Sequence, residues 1–271
     1  MHALKQHASP HAILKTHFQD MHKLFAEAGI VRSAHWSQED GVLRVYSGVP
    51  LLNMNGVIFS QYQQNINTSI QREIDFFKNK PIPGFVWYAE DYELELQKAL
   101  LNKGFQSHGS TQVVLGSTNY TVPQVLPQNL QIRPVDSEAV LEDWMKVVGT
   151  VFNMPQKAQD AYKKMNFYLG FGEDAPIKRY IGYVNEKPAA VISVAVTSHL
   201  VSFLDGATLK EYRRRGFSGS LRMYALNEMR QRGYEQVASY LMCDAMALGV
   251  CQKLGLEKTW AYQAYFWTKS V

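Results

Sequence analysis

The stretch "EYRRRGFSGSL", residues 211–221, places three arginines before a loop with two glycines and the start of an apolar helical pattern. A strand-like run, "LVSFLDGATL" (200–209), precedes it, so the loop joins a strand to a helix. At such a junction backbone N–H groups and the positive end of the helix dipole point to one place, and glycine lets a ligand approach the backbone. The stretch therefore predicts an anion-binding loop.

Two common phosphate loops do not match this stretch. It lacks the Gly-Lys-Ser/Thr end of a P-loop and the three glycines of the dinucleotide fingerprint. Nucleic-acid binding is also disfavoured, because Arg222, Arg230 and Arg232 are spread around the helix beside Glu228 and form no stripe. The net charge of +4 over 271 residues is only mildly basic. The sequence thus favours a small anionic ligand and no nucleic acid.

The composition predicts a globular, soluble chain. With 46% apolar residues it can bury a large core, and its longest apolar run, "PAAVISVAV", is far shorter than the ~18 residues that span a bilayer. Near the start, Leu14, Phe18, Met21 and Phe25 recur at helical spacing and predict an amphipathic helix, not a signal peptide. The two cysteines have no zinc-site spacing. We expect a cytoplasmic protein with no metal and no membrane association.

The distribution of charge predicts the domain organisation. No Lys, Arg, Asp or Glu occurs between Lys103 and Arg133, and this gap contains two prolines among polar residues. Such a segment is typical of an extended connector. We therefore predict an N-terminal domain at 1–120, a linker at 121–129 and a C-terminal domain at 130–271, in which strands and helices follow one another in a mixed α/β pattern.

The two parts share a layout. The segments "ALLNKGFQSHGSTQVV" (99–114) and "GVCQKLGLEKTWAYQAYF" (249–266) both run from a helix end through Lys, Gly and a large apolar residue into a strand. This predicts two copies of one fold. The first copy has no glycine in "IFSQYQQNINTSIQREI" (58–74), where an anion loop would lie, so we expect only the second to keep the site.

The loop resembles the acetyl-CoA loop of the GNAT superfamily of N-acetyltransferases, Arg/Gln-x-x-Gly-x-Gly/Ala. Its match here runs from Arg213 to Ser218, with Ser218 in place of Gly or Ala and Gly219 next. The resemblance extends over about 130–271, including a later family segment that reads "DAMALGVCQKLGL" (244–256) here. It implies an α/β fold with a mixed sheet, arranged as two related GNAT-like domains, and acetyl-CoA as cosubstrate.

The resemblance also implies which residues hold acetyl-CoA. Ala207 and Thr208 would lie beside the pantetheine and the thioester, and Asp244 stands where an asparagine commonly helps to hold the cofactor. The pyrophosphate would be bound by Arg213, Arg214, Arg215, Gly216, Phe217, Ser218 and Gly219.

The same resemblance implies candidates for the general base and the general acid. Asp205 is the best-placed carboxylate for a general base, with Glu173 and Asp174 as alternatives. Cys251 occupies the position of the tyrosine that often protonates the leaving sulfur; a thiol could donate that proton, or Cys251 is simply a buried packing residue. Tyr240, Tyr262 or Tyr265 could substitute for it.

The expected function is therefore an acetyl-CoA-dependent N-acetyltransferase that acts on a primary amine of a small molecule or peptide. The alternative is a non-catalytic CoA-binding or sensor protein with the same fold, which the missing tyrosine and Ser218 both permit.

Overall fold

The fold is described from a computed structural model of the chain. The residues described are 9–59, 65–119, 127, 129–198, 200–242 and 245–269. Asp244 and most of the predicted linker lie outside them, and the domain boundaries at 120 and 130 stay a prediction.

Within the described ranges the chain forms seven α-helices, eleven strands and two short 3-10 helices, at Leu52–Met54 and Lys210–Tyr212. The α-helices are α1 (Pro10–Glu27), α2 (Ile66–Lys78), α3 (Leu94–Asn102), α4 (Glu138–Val151), α5 (Gln156–Tyr168), α6 (Phe217–Gln231) and α7 (Ala245–Lys253). The strands are β1 (His35–Glu39), β2 (Val42–Tyr46), β3 (Asn55–Ile58), β4 (Gly84–Glu90), β5 (Gln106–Ser117), β6 (Leu130–Pro134), β7 (Ile177–Val184), β8 (Lys187–Val196), β9 (Val201–Thr208), β10 (Gln236–Met242) and β11 (Glu257–Thr268).

The strands form one mixed sheet in the order β1-β2-β3-β4-β11-β5-β10-β9-β8-β7-β6. Two pairs are parallel, β3 with β4 and β9 with β10. β5 comes from the first half of the chain but pairs with β10, and β11 ends the second half but pairs with β4. Each half thus contributes its last strand to the other, which makes the sheet continuous. The predicted mixed α/β class is confirmed.

An approximate twofold symmetry relates the exchanged strands. β5 and β11 are both 12 residues long and have the same order of exposed and buried positions. Thr111 and Tyr262 hold the same place in that order, and they face each other in the ladder. By the same register, Tyr88 in β4 is the counterpart of Tyr240 in β10. This symmetry supports the predicted duplication of one fold.

Helices cover both faces of the sheet. The largest core cluster joins α1, α4 and α5 to one face, and two further clusters join α2 with α3, and α6 with α7, to the other. Neighbouring strand residues alternate between these clusters, as Val113 and Val114 do, because successive side chains on a strand point to opposite faces. Each parallel pair of strands is therefore covered on both faces, as buried parallel strands require.

The predicted N-terminal helix is confirmed as α1, and its apolar stripe is buried. The helix lies across the junction of the two halves. His17 hydrogen-bonds through Nδ1 to Thr197 Oγ1 and through Nε2 to Ser202 Oγ, both at 2.8 Å. The hydroxyl of Tyr240 donates to the carbonyl of Leu14 at 2.9 Å. These bonds fix α1 over the second half. Within the described ranges no helix has the length and apolar content needed to cross a membrane.

Candidate functional site

A gap opens between the parallel strands β9 and β10. They pair only from Val201 to Phe203 and from Val237 to Ser239, although β9 continues to Thr208 and β10 to Met242. Beyond the last pair, β9 stays with β8 and β10 stays with β5. Ligands of open α/β sheets bind where neighbouring strands diverge at their carboxyl ends. The gap between β9 and β10 is therefore the candidate ligand-binding site.

Asp205 lies at the start of this gap, on a bulge of β9. The register with β8 shifts between the pairs Ser193–Leu204 and Val191–Ala207, so Asp205 and Gly206 fall outside the ladder. Asp205 has a φ of 50°, in the left-handed region that Asp and Asn enter more readily than other non-glycine residues. The bulge turns the half-buried Asp205 carboxylate out of the regular strand pattern.

A hydrogen bond from α5 holds this carboxylate. The hydroxyl of Tyr162 donates to Asp205 Oδ1 at 2.9 Å. Desolvation raises the pKa of Asp205, while the bond from Tyr162 and the charge of Arg179 act in the opposite direction. An aspartate with a raised pKa is a better proton acceptor near neutral pH than an exposed one.

Arg179 fixes the helix that carries Tyr162. Its guanidinium donates to Asn166 Oδ1 at 2.7 Å and to the backbone carbonyls of Asn166 and Gly170 at 3.0 Å. Asn166 in turn donates to the carbonyl of Tyr162 at 2.9 Å. Desolvation lowers the pKa of Arg179 to about 10, so it remains cationic at neutral pH. This buried network sets the position of Tyr162 and, through it, of Asp205.

The arginine loop connects β9 to α6 with the predicted geometry. Arg214 and Gly216 have φ values of 62° and 80°, and α6 begins at Phe217. The side chains of Arg213, Arg214 and Arg215 are exposed, and Arg213 Nε donates to the carbonyl of Thr208 at 3.1 Å. The unpaired N–H groups in the first turn of a helix, together with its dipole, favour an anion at this end.

Phe217 and Ser218 take different roles from those that the motif alone indicates. The side chain of Phe217 packs in the core, so only its backbone is available to a ligand. Ser218 Oγ accepts a hydrogen bond from Nη1 of Arg222, one turn later on α6. A Cβ added at Gly206 would lie 2.9 Å from Nη2 of the same arginine. Ser218, which replaces the Gly or Ala of the family motif, thus hydrogen-bonds a buried arginine whose guanidinium reaches the bulge of β9.

A cavity of about 350 Å³ begins at this gap and passes between the two halves. On one side it is lined by Arg222 of α6 and Ala247 of α7. On the opposite side it is lined by α1, Tyr88 of β4 and Tyr162 of α5. Because these groups of helices cover opposite faces of the sheet, the cavity crosses the sheet through the gap. It joins the face of the sheet that α6 and α7 cover to the face on which Tyr162 holds Asp205.

In the first half of the chain, aromatic side chains fill the position that corresponds to the gap beside Asp205. The symmetry places Phe59 of the first half at the position of Asp205, and both have a positive φ, 48° and 50°. The Phe59 ring lies 4.9 Å from the Trp260 ring and 5.1 Å from the Tyr262 ring, centroid to centroid. The residue of β5 at the place of Trp260 is Gly109. Aromatic packing thus occupies the region that is open in the second half.

Several predicted site residues do not line the cavity. Cys251 is fully buried in the core cluster of α6 and α7, which favours its packing role. Tyr265 belongs to the core cluster on α2 and α3, where its hydroxyl donates to Gln97 Oε1 at 3.1 Å. Glu173 and Asp174 are exposed in the turn before β7. Tyr240 and Tyr262, by contrast, line the cavity together with Asp205.

His22 is a cavity residue that the sequence did not single out. Its Nδ1 lies 2.8 Å from the carbonyl oxygen of Phe18, which can only accept, so Nδ1 carries the proton and Nε2 is left as an acceptor. Desolvation lowers the pKa of His22 to about 4. The ring is therefore neutral at physiological pH. In the sequence, His22 is one helical turn after Phe18. That spacing predicts that His22 lies on the buried face of α1, but not that it lines a cavity.

Replacing His22 by glutamine is expected to reduce the loss of stability in acid. Because the folded-state pKa, about 4, lies below the ordinary 6.5, the contribution of the neutral ring is complete above pH 6.5 and is lost as the pH falls towards 4. At pH 5 this loss is about 2 kcal/mol. The free energy of unfolding, measured in urea at pH 7 and pH 5, should differ less in His22→Gln than in the wild type. The exposed His35→Gln should behave as the wild type; an equal acid loss in His22→Gln would contradict the assignment.

The fold is that of GCN5-related N-acetyltransferases. The enzyme of this class from Kribbella flavida matches 94% of this chain and 95% of its own, with a TM-score of 0.69 and 11% identity. One from Sphaerobacter thermophilus matches 85% of this chain and 78% of its own, with a TM-score of 0.65 and 10% identity. A tandem GNAT protein from the clavulanic acid biosynthesis pathway matches 95% of both chains, with a TM-score of 0.56 and 10% identity.

The last of these likenesses supports the tandem form of the fold, as the two parallel strand pairs do. The predicted GNAT-like fold is thereby confirmed. No protein-family model matches the chain, and no curated protein matches its sequence.

Proposed function

We propose that the protein is an acetyl-CoA-dependent N-acetyltransferase whose second half carries the active site and whose acceptor is a primary amine. One observation supports this most: a half-buried carboxylate with a raised pKa lines the cavity at the gap, on the strand that continues into the arginine loop. This carboxylate belongs to Asp205, which we assign as the general base. The GNAT fold of the structural neighbours agrees with this function.

The residues present suit acetyl-CoA. The first turn of α6 with Gly216, and the exposed side chains of Arg214 and Arg215, would hold the pyrophosphate. Ala207 and Thr208, on the edge of β9 that β10 leaves unpaired, would lie along the pantetheine. When bound, acetyl-CoA supplies an acetyl group activated as a thioester.

Asp205 would take the proton that an incoming ammonium must lose before its nitrogen can attack. Tyr162 and the Arg179 network hold the carboxylate in place for this transfer. The departing thiolate needs a proton in return. Tyr240 and Tyr262 line the cavity, and burial raises the pKa of both, so each keeps its proton at neutral pH. The Tyr240 hydroxyl already donates its one proton to the carbonyl of Leu14, so this donation is assigned to Tyr262 and not to Tyr240 or to the buried Cys251.

Binding of acetyl-CoA is the first test. A ligand that binds only the folded state at about 100 times its Kd stabilises it by about 2.7 kcal/mol. For a chain of this size the midpoint of thermal unfolding should rise by several degrees. Free acetate at the same concentration serves as the control. No rise with acetyl-CoA would contradict both the acetyltransferase and the alternative, a non-catalytic CoA-binding or sensor protein.

A further inference from the structure

We propose that the acceptor amine carries a compact aromatic or similarly apolar body, which binds against α1 while its nitrogen lies at Asp205. This inference rests on the proposed function and names the class of acceptor. The first half of the chain supplies the cavity wall against which this body would bind.

The two sides of the cavity separate the two substrates. The anion loop and α6 lie on one face of the sheet, so the cosubstrate enters the gap from that face. Tyr162 lies on the other face and holds the carboxylate from there. The acceptor must therefore reach Asp205 from the face that α1 covers. The surface of α1 in the cavity is the part of the acceptor site that determines which amines fit.

This surface is aromatic and tightly packed. Phe18, Met21, His22 and Phe25 line the cavity from α1, and each is at most 4% exposed. The Phe18 ring lies 5.1 Å from the Tyr88 ring and 5.2 Å from the Tyr262 ring, edge to face. Such a wall offers ring contacts and few polar groups, which favours an apolar or aromatic body over a hydrated one.

The charges in the cavity lie away from that wall. Among the described lining residues, the charged ones are Asp205 and Arg222, on the bulge of β9 and on α6. His22 is neutral, and burial raises the pKa of Tyr88, so the α1 side carries no charge. An amine with an apolar body is therefore oriented: its ammonium is attracted to Asp205 and its body to α1. The surrounding ring faces add attraction for the cation.

The size of the cavity limits the acceptor. A volume of about 350 Å³ is at the lower end of the range for small-molecule sites, roughly 300–1,000 Å³. One ring and a short chain fit within it beside the acetyl group. A lysine within a folded protein would have to bring its neighbouring residues between the two halves, where α1 and β5 already lie. The acceptor class is thus a free small amine.

The test compares matched acceptors with acetyl-CoA, following release of the CoA thiol. Phenethylamine should exceed ethylamine in kcat/KM by about tenfold or more, the gain expected from burying an aromatic side chain. A lysine-containing peptide should be poorer than phenethylamine. If ethylamine or the peptide is preferred, the inference is overturned while the proposed function stands. If no amine releases thiol, the proposed function itself fails.

A second experiment moves the aromatic ring from the amine to the acyl group of the CoA thioester. Phenylacetyl-CoA with glycine carries the ring on the acyl group and none on the amine. We expect this pair to react at least tenfold more slowly than acetyl-CoA with phenethylamine. The reverse order would show that the α1 wall binds the acyl group, and would overturn its assignment to the acceptor.

Variants of α1 test the wall directly. Met21→Trp should reduce kcat/KM for phenethylamine at least tenfold by filling the cavity, with a smaller loss for ethylamine and an unchanged Kd for acetyl-CoA. Lys23→Gln is the matched control on the same helix, because Lys23 pairs with Asp20 outside the cavity lining. Should Met21→Trp fail to fold, Phe25→Leu provides the milder change, with a loss for phenethylamine alone. Equal losses for both amines would contradict the proposal.

Discussion

The Asp205→Asn variant is expected to lose about a hundredfold or more in kcat while binding acetyl-CoA with an unchanged Kd. General-base catalysis contributes about 10²–10⁴ to a rate, and asparagine removes only the basic group. An asparagine can still accept the hydrogen bond from Tyr162, and it tolerates the left-handed backbone at φ 50°. The loss would therefore report on proton transfer and not on a disturbed bulge.

The pH dependence gives this prediction a second readout. Because the base acts when ionised, wild-type kcat/KM should fall as the pH drops through the raised pKa of Asp205. This acid limb should be absent in Asp205→Asn, whereas the limb due to the amine itself should remain. Asp174→Asn is the matched control, since Asp174 is exposed in a turn. Full activity in Asp205→Asn with a loss in Asp174→Asn would assign the base to Asp174.

The Gly216→Ala variant is expected to weaken acetyl-CoA binding by about tenfold or more. Gly216 has a φ of 80° immediately before α6, and its carbonyl accepts from the Ser220 N–H at 3.0 Å. A side chain in this left-handed conformation costs about 1–2 kcal/mol, so the loop would shift or strain, and its N–H groups would no longer converge. Titration calorimetry with acetyl-CoA measures the change in Kd.

The other end of the same helix supplies the control for this variant. Gly233 has a φ of 85°, and a Cβ there would meet nothing within 4 Å. Gly233→Ala should therefore reduce the free energy of unfolding by a similar amount but leave the Kd for acetyl-CoA unchanged. If both variants weaken binding equally, the effect arises from general destabilisation, and the assignment of the loop as the pyrophosphate site is wrong.

The strand-loop-helix arrangement around Gly216 was predictable because its evidence is local. The strand, the glycines and the helix start occupy adjacent positions, and Gly216 adopts the positive φ that such a turn needs. The α1 stripe was predictable for the same reason, since spacing along the chain fixes the faces of a helix.

The site itself depends on contacts that local patterns do not encode. Tyr162 and Asp205 are 43 positions apart, and their hydrogen bond exists only because α5 packs against the face to which the bulge turns. The exchange of β5 and β11 was also hidden, because the two strands have the same burial order and either would suit either edge. The stripe of α1 predicted a buried face but not the cavity beside it.

The catalytic role considered for Cys251 came from matching a family motif. The motif aligned it with a catalytic tyrosine, but alignment places a residue on a helix and not in a cavity. Among the side chains of α7 that the structure describes, Ala247, one turn earlier, lines the cavity, while Cys251 lies in the core. Tyr240 and Tyr262 reach the cavity from the sheet instead.

The most direct test of acetyl transfer is the release of CoA thiol from acetyl-CoA in the presence and absence of phenethylamine, with the product mass measured in parallel. We expect release that requires the amine, a product heavier by one acetyl group, and loss of both in Asp205→Asn. Tight binding of acetyl-CoA with no amine-dependent release from any of the amines or the peptide would contradict this expectation and identify the protein as a CoA-binding module.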